Sequence, residues 1–181
     1  MKRLTLLRHA KSGWDDPVAR DFDRPLNAKG RRAARVMGRW LRENGFIFDH
    51  ILASPALRVV ETLDEAWEGY GRTYHPQYDK RIYLASAAAL LDVVQEVPDH
   101  HDHVMLCGHN PGMEDLILML VPDSADEPFR DQVEEKYPTA AVAELEFDVE
   151  RWEQVKAASA HFARFVRPRD VDPALGPDVH A

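Results

Sequence analysis

Cysteine is almost absent from this chain of 181 residues, with Cys107 standing alone. A single cysteine excludes an internal disulfide framework and suits a reducing cytoplasm, where the protein is expected to reside. Long apolar runs are also missing, and nothing approaches the roughly 20 residues that a membrane-spanning helix needs. Near the N-terminus, Arg8 breaks a run of only a few apolar residues, so neither a secretory signal nor a membrane partner is expected. Positive charge is in deficit: the net charge is −8, which argues against nucleic acid as a partner. Repeats, linkers and low-complexity blocks are lacking as well. The length fits one domain, and 45% hydrophobic with 30% charged residues is the make-up of a soluble globular chain.

The charge that is present is unevenly placed. Residues 1–60 hold 13 Lys and Arg against 6 Asp and Glu, leaving 10 against 25 for the remainder. The basic third contains the stretch Leu4-Thr-Leu-Leu-Arg-His-Ala10, in which a strand-like apolar run is cut off by Arg8 and His9. A buried parallel strand reads this way as it emerges at the carboxyl edge of its sheet, where ligands of open α/β sheets bind.

Two further strand ends are built alike. Ile47 to Ala53 ends at Ser54-Pro55, and His103 to Gly108 ends at His109-Asn110-Pro111. In each, a cap residue followed by Pro predicts the start of a helix. Between these runs, Asn27 predicts a helix start and Gly45 its end, with Arg31, Arg35, Arg39 and Arg42 as a solvated stripe. Asp15-Asp16-Pro17 reads as a turn, Ser86 to Val97 as a third helix, and Met113 to Leu120 as the apolar face of a fourth. Ala140 to Asp148 and Ala160 to Val166 alternate as two adjacent strands, and the stretch from Pro168 reads as a loose tail. The expected architecture is α/β, with a mostly parallel sheet, an antiparallel edge portion and one domain over residues 1–168, followed by a tail over 169–181.

If the three strands are parallel neighbours, one crevice collects two histidines, two arginines and helix N-termini. Arg58, one turn into the second helix, can reach back over that helix's start. A tetrahedral phosphate suits guanidinium forks and directed N–H donors, and the histidines add a nucleophile and a second cationic group.

Leu7-Arg-His-Ala10, Ser54-Pro-Ala-Leu-Arg-Val-Val-Glu-Thr62 and Gly108-His-Asn-Pro111, in this order, resemble the motifs of the histidine phosphatase superfamily. Arg8-His-Ala-Lys-Ser12 and Arg24-Pro-Leu26 ahead of the first helix are most similar to its SixA-like phosphohistidine phosphatase branch. The resemblance covers about residues 2–168 and implies a phosphoglycerate-mutase-like three-layer sandwich with helices on both faces of the sheet. It makes His9 the nucleophile, gives Arg8, Arg58 and a protonated His109 to the phosphate pocket, and adds Arg24 and Asn110 as substrate contacts. The larger mutase-type members carry inserted helices and an acidic proton donor where this chain has only the forty residues between Thr62 and His103. No large helical cap is therefore expected, no acid stands around Lys80 to Leu84, and the donor is sought in Asp16, Asp23, Asp115 or a water.

Other readings compete at particular residues. Cys107 lacks the arginine that a Cys-x5-Arg phosphatase requires, because Met113 stands there, and so reads as a small core residue. His100, His101, Asp102 and His103 lack metallohydrolase spacing and read as exposed loop residues. A non-catalytic phospholigand-binding module would need only the arginines; the two histidines favour an enzyme. The expectation is thus a phosphatase that uses no metal or cofactor and acts through a phosphohistidine on His9. Its substrate is a phosphorylated molecule, either phosphohistidine on a protein or a small phosphometabolite. Arg58 is expected to face an open crevice and to add little to stability.

Overall fold

Strand β1 (Lys2–Arg8) occupies the middle of a six-stranded sheet, and its position fixes where the chemistry-bearing residues emerge. The structure, a computed structural model, describes residues 1–13 and 20–177. The expected turn at Asp15-Asp16-Pro17, and Asp16 as a proton donor, lie outside the described residues. On one side β1 pairs in parallel with β4 (His103–Gly108), which pairs in parallel with β2 (His50–Ala53), followed by the short β3 (Gln77–Tyr78). On the other side β5 (Val142–Phe147) and β6 (Ala160–Val166) run antiparallel. The order is β3-β2-β4-β1-β5-β6, a mostly parallel sheet with an antiparallel edge.

Helices cover both faces, because a strand buried on both sides needs a partner layer on each. Helices α1 (Ala28–Glu43) and α2 (Leu57–Tyr70) pack on one face against Leu7, Met105, Cys107 and Val142. Helices α3 (Ala87–Gln95), α4 (Gly112–Leu120) and α5 (Pro128–Glu135) pack on the other against Leu4, Leu6, Val104 and Leu106. Successive residues of β1 and β4 thus serve opposite cores, as the pleat requires. Among the described residues, no helical layer closes over the carboxyl edge of the parallel strands.

Helix α1 starts and stops where expected: Asn27 accepts a hydrogen bond from the Gly30 amide at 2.8 Å, and Gly45 takes φ +76° just beyond the end. Arg31 and Arg35 of its polar stripe pair with Glu61 and Glu65 of α2 rather than standing free in solvent. Ser86 caps α3 as expected, though the helix ends at Gln95. The other two helix starts differ from expectation. Helix α2 begins at Leu57 with Ala56 as its cap and no side-chain cap bond, and Ser54 Oγ accepts from the Ala56 amide at 3.3 Å ahead of the first turn. Helix α4 begins at Gly112, with Pro111 at the cap position and Asn110 Oδ1 accepting from the Glu114 amide at 3.3 Å.

Helix α5 has no counterpart in the expected elements. Glu144 also departs from the alternating pattern of β5. Both faces of the sheet are covered, so it is buried, with one oxygen 3.5 Å from Arg164 Nε. The segment read as a loose tail differs as well: Pro168–Val171 form the short helix α6, and Leu175 packs into the α1–α2 core.

Candidate active site

The strand register brings the three motif ends together. Arg8 is paired with Gly108 across β1 and β4, so His9 and His109 leave the sheet side by side. Ala53 is paired with Cys107 across β2 and β4, which sets Ser54 beside the same exit. The two imidazole rings lie 5.3 Å apart between centroids, tilted by 56°. Thr62 ties the β1 exit to α2: its hydroxyl accepts from the Ala10 amide at 2.9 Å and donates to the Arg58 carbonyl at 2.6 Å.

The state of His9 follows from its partner. Nδ1 lies 2.7 Å from the Ala10 carbonyl, which can only accept, so Nδ1 carries the proton and Nε2 keeps its lone pair. Burial lowers the pKa of His9 to about 3; Arg8, His109 and Arg58 push the same way, against the Ala10 carbonyl. The imidazole is therefore neutral across the physiological range, the form a nucleophile requires.

His109 is pushed down to about 4, again first by burial and then by Arg58 and Arg8, with Asp21 opposing. Against the expectation of a protonated His109, burial beside two guanidinium groups keeps it neutral here. Its Nε2 lies 2.8 Å from Ser54 Oγ, and the Tyr83 ring stands edge-on to it at 5.3 Å. Ser54, expected to cap a helix, holds this histidine and also accepts from the Ala56 amide at 3.3 Å, ahead of the first turn of α2.

The arginines are placed by partners that carry little sequence signal. Arg8 Nη1 donates to the Tyr137 carbonyl at 3.0 Å, and Asn110 Nδ2 donates to the same oxygen at 3.0 Å. Asn110 therefore organises the site's backbone. Arg58 is not on an open crevice: it is 4% exposed. Its Nη1 and Nη2 donate to the backbone and side chain of Asp21 at 2.9 and 3.0 Å. Asp21 also accepts from Arg24 Nη1 at 2.9 Å and from the Tyr83 hydroxyl at 2.7 Å. Burial alone would raise its pKa, but the bonds from Tyr83, Arg58 and Arg24 hold it below the usual carboxylate value.

Asp21, Tyr83, Glu114 and Tyr137 are the site residues that sequence reasoning missed. The only signal for Asp21 was its place three residues before Arg24, and Tyr137 contributes through its backbone. Among the proposed acids, Asp23 is engaged by Arg20 at 2.9 Å and Asp115 points outward from α4 as an exposed residue. Glu114, half-buried in the first turn of α4, has its pKa raised first by burial and then by Asp115, and feels the charge of Arg8.

Two buried polar atoms at this edge, Arg8 Nε and His109 Nδ1, have no partner among the described residues. Buried polar groups are nearly always satisfied, so orphans gathered beside a neutral histidine mark a place for a ligand. The other residues weighed from sequence stand apart. Cys107 is fully buried and its thiol pKa is pushed up, as suits a core residue. His103 is not a loop residue but the first of β4, buried, with Nε2 2.8 Å from Thr5 Oγ1. No cluster of metal-ligating side chains occurs among the described residues.

Comparison with known proteins agrees with this geometry. The pattern of the histidine phosphatase superfamily (branch 1) matches residues 4–83. An uncharacterized protein of Mycobacterium tuberculosis is 32% identical over 164 residues, which span 90% of this chain and all of that one. A structure from Agrobacterium tumefaciens, named for the phosphohistidine phosphatase SixA, superposes with a TM-score of 0.77 at 26% identity. The match covers 92% of this chain and 98% of that one. Its namesake from Nakamurella gives 0.77 at 27% identity, over 92% and 96% of the two chains.

Proposed function

The chain belongs to the histidine phosphatase superfamily, and on that premise we propose that it is a metal-independent phosphatase working through a phosphohistidine on His9. The observation that carries this reading is the neutral His9, its Nδ1 held by the Ala10 carbonyl, set beside buried polar atoms with no partner among the described residues. Nε2 attacks phosphorus in line, and the bond from phosphorus to the leaving atom breaks with its electron pair going to that atom. Arg8, Arg58 and His109 balance the charge on the transferring oxygens. A dianion beside His109 raises its pKa from the low value set by burial, so the proton arrives with the substrate. The leaving atom takes its proton from water or from Glu114, which lies in the first turn of α4 with its carboxyl raised above the ordinary value by burial. Water then attacks the phosphohistidine, the P–N bond breaks back to Nε2, and phosphate leaves.

Two features support phosphohistidine on a protein as the substrate: the likeness to the SixA structures and the absence of a helical cap over the described site. A small phosphorylated molecule is a second reading, favoured by a basic cavity beside Arg8.

Rapid quench in alkali with labelled substrate tests the central step. One labelled peptide containing His9 is expected, acid-labile and alkali-stable. His9→Ala should remove both label and turnover; label on Cys107 or on a carboxylate would refute the assignment. Chelators should leave turnover intact and vanadate should inhibit it. Loss of activity in chelator, restored by a divalent ion, would exclude the metal-free mechanism.

A further inference from the structure

Asp21 lies in a single 3-10 turn (Asp21–Asp23) between the β1 exit and α1, and donors from three parts of the chain converge on it. Arg58 Nη1 donates to its carbonyl oxygen at 2.9 Å, and Nη2 donates to Oδ2 at 3.0 Å. Arg24 Nη1 donates to Oδ1 at 2.9 Å, and the Tyr83 hydroxyl donates to Oδ2 at 2.7 Å. Both carboxylate oxygens are therefore bonded, and one residue grips Arg58 through its side chain and its backbone together. A guanidinium has more N–H donors than Asp21 takes up, so this grip fixes its plane and leaves donors for an oxyanion.

The support is itself supported. The Tyr83 ring stands edge-on to Phe22 at 5.1 Å and to His109 at 5.3 Å. Leu84, the next residue, takes φ +49° although its side chain is 56% exposed, so its own packing does not account for the bend. Strained backbone persists where its surroundings over-determine it, and here the bend accompanies the delivery of Tyr83 to Asp21. Asp21 does no chemistry of its own. A carboxyl held below its ordinary pKa has no proton to give, and its charge repels phosphate. Its influence passes through the groups that it holds.

We propose that Asp21 is a positioning residue of this reaction: it sets the Arg58 guanidinium for the transferring oxygens, with Arg24 and Tyr83 fixing the support. The proposal rests on the phosphatase reading. It has a second consequence at His109, which is faced by His9 and Arg8 from the β1 exit, Arg58 from α2, Ser54 after β2, and Tyr83. Burial, Arg58 and Arg8 disfavour the charged form of His109, whereas the Asp21 carboxylate favours it.

The test uses the full chain, p-nitrophenyl phosphate, Asp21→Ala and the shape-keeping Asp21→Asn, which decides alone if the Ala variant does not fold. The p-nitrophenolate departs without a proton donor, so the alkaline limb of the kcat profile reports the charged His109. In both variants kcat should fall by about tenfold to a hundredfold, the cost of misplacing a preorganised group. The alkaline limb should also move to lower pH, which loss of folded protein would not cause. Guanidinium ion, far below denaturing concentration, should restore turnover of Arg58→Ala by about fivefold or more, and should fail in Arg58→Ala combined with Asp21→Asn. Any of three results overturns the proposal: kcat within about twofold of wild type in folded Asp21→Asn, an unmoved alkaline limb, or rescue that does not need Asp21. Vanadate binding, which requires no turnover, separates this proposal from the reading beneath it. In a chain that hydrolysed nothing, a vanadate Kd raised about tenfold in Asp21→Asn would still support the placement of Arg58, and an equal Kd would overturn it.

Discussion

Arg58 combines two jobs that are usually separate. Its guanidinium is buried and fixed on Asp21 by two hydrogen bonds, so the side chain proposed to serve the phosphate also closes part of the structure. Replacing it with Ala should lower turnover by about 10²–10³-fold, the usual cost of losing one preorganised donor to a developing charge. Unlike a solvated site residue, it should also cost stability. Asp21 keeps Arg24 and Tyr83 and is partly exposed, so the loss is about 1–2 kcal/mol rather than that of a fully buried pair. Activity and melting measured on Arg58→Ala should therefore both change; an unchanged midpoint would mean that Asp21 is held without it.

Helices α1 and α2 hold the site from below, and their separation is set by glycine. A Cβ at Gly38 would lie 1.9 Å from the Ala66 carbonyl oxygen, and one at Gly69 equally close to that of Arg35. Backbone on both sides leaves no flexible atom to yield, so Gly38→Ala must push the helices apart. The expected loss is about 1–3 kcal/mol, or roughly 2–4 °C of thermal midpoint for each kcal/mol in a chain of this size. Because α2 carries Arg58 and Thr62, and Thr62 holds the Ala10 amide, turnover should fall along with stability. A Gly38→Ala protein with native melting and native turnover would contradict the close-packed pair.

Across the whole molecule, buried neutral histidines make stability depend on pH in one direction. His9, His109 and His103 have folded pKa values of about 3, 4 and 4, all lowered mainly by burial. In the unfolded chain each titrates near 6.5. Above that pH, both states hold them neutral and nothing is lost. As pH falls from about 6.5 towards 4, the unfolded chain takes up protons that the folded one refuses, so stability declines through that window. Glu144, raised by burial, acts with the opposite sign and offsets part of the loss. Urea denaturation between pH 7.5 and 4.5 should show the decline, and His103→Gln, remote from the phosphate site, should flatten it without touching the chemistry. Stability constant or rising over that range would mean that these histidines are charged when folded.

Much of this protein is local and therefore legible in one dimension. The apolar runs Leu4–Leu7 and Val104–Cys107 declare buried strands, Asn27 and Ser86 declare helix starts, and Arg8-His9 and His109 mark strand exits, because each depends on neighbours a few residues away. The short polar stretch from Glu127 to Glu135 hid α5, since one buried helix residue, Val133, is too weak a periodic signal. What only the tertiary structure decided depends on groups far apart in the chain. Ser54 turned from helix cap to partner of His109 because the register set them side by side. Asp21 became the anchor of Arg58 across 37 positions, and the Tyr137 carbonyl the anchor of Arg8 across 129. The protonation of both site histidines was likewise out of the sequence's reach. A pKa is set by burial and by the charges gathered in space, and a sequence orders residues without saying which of them will share a dielectric.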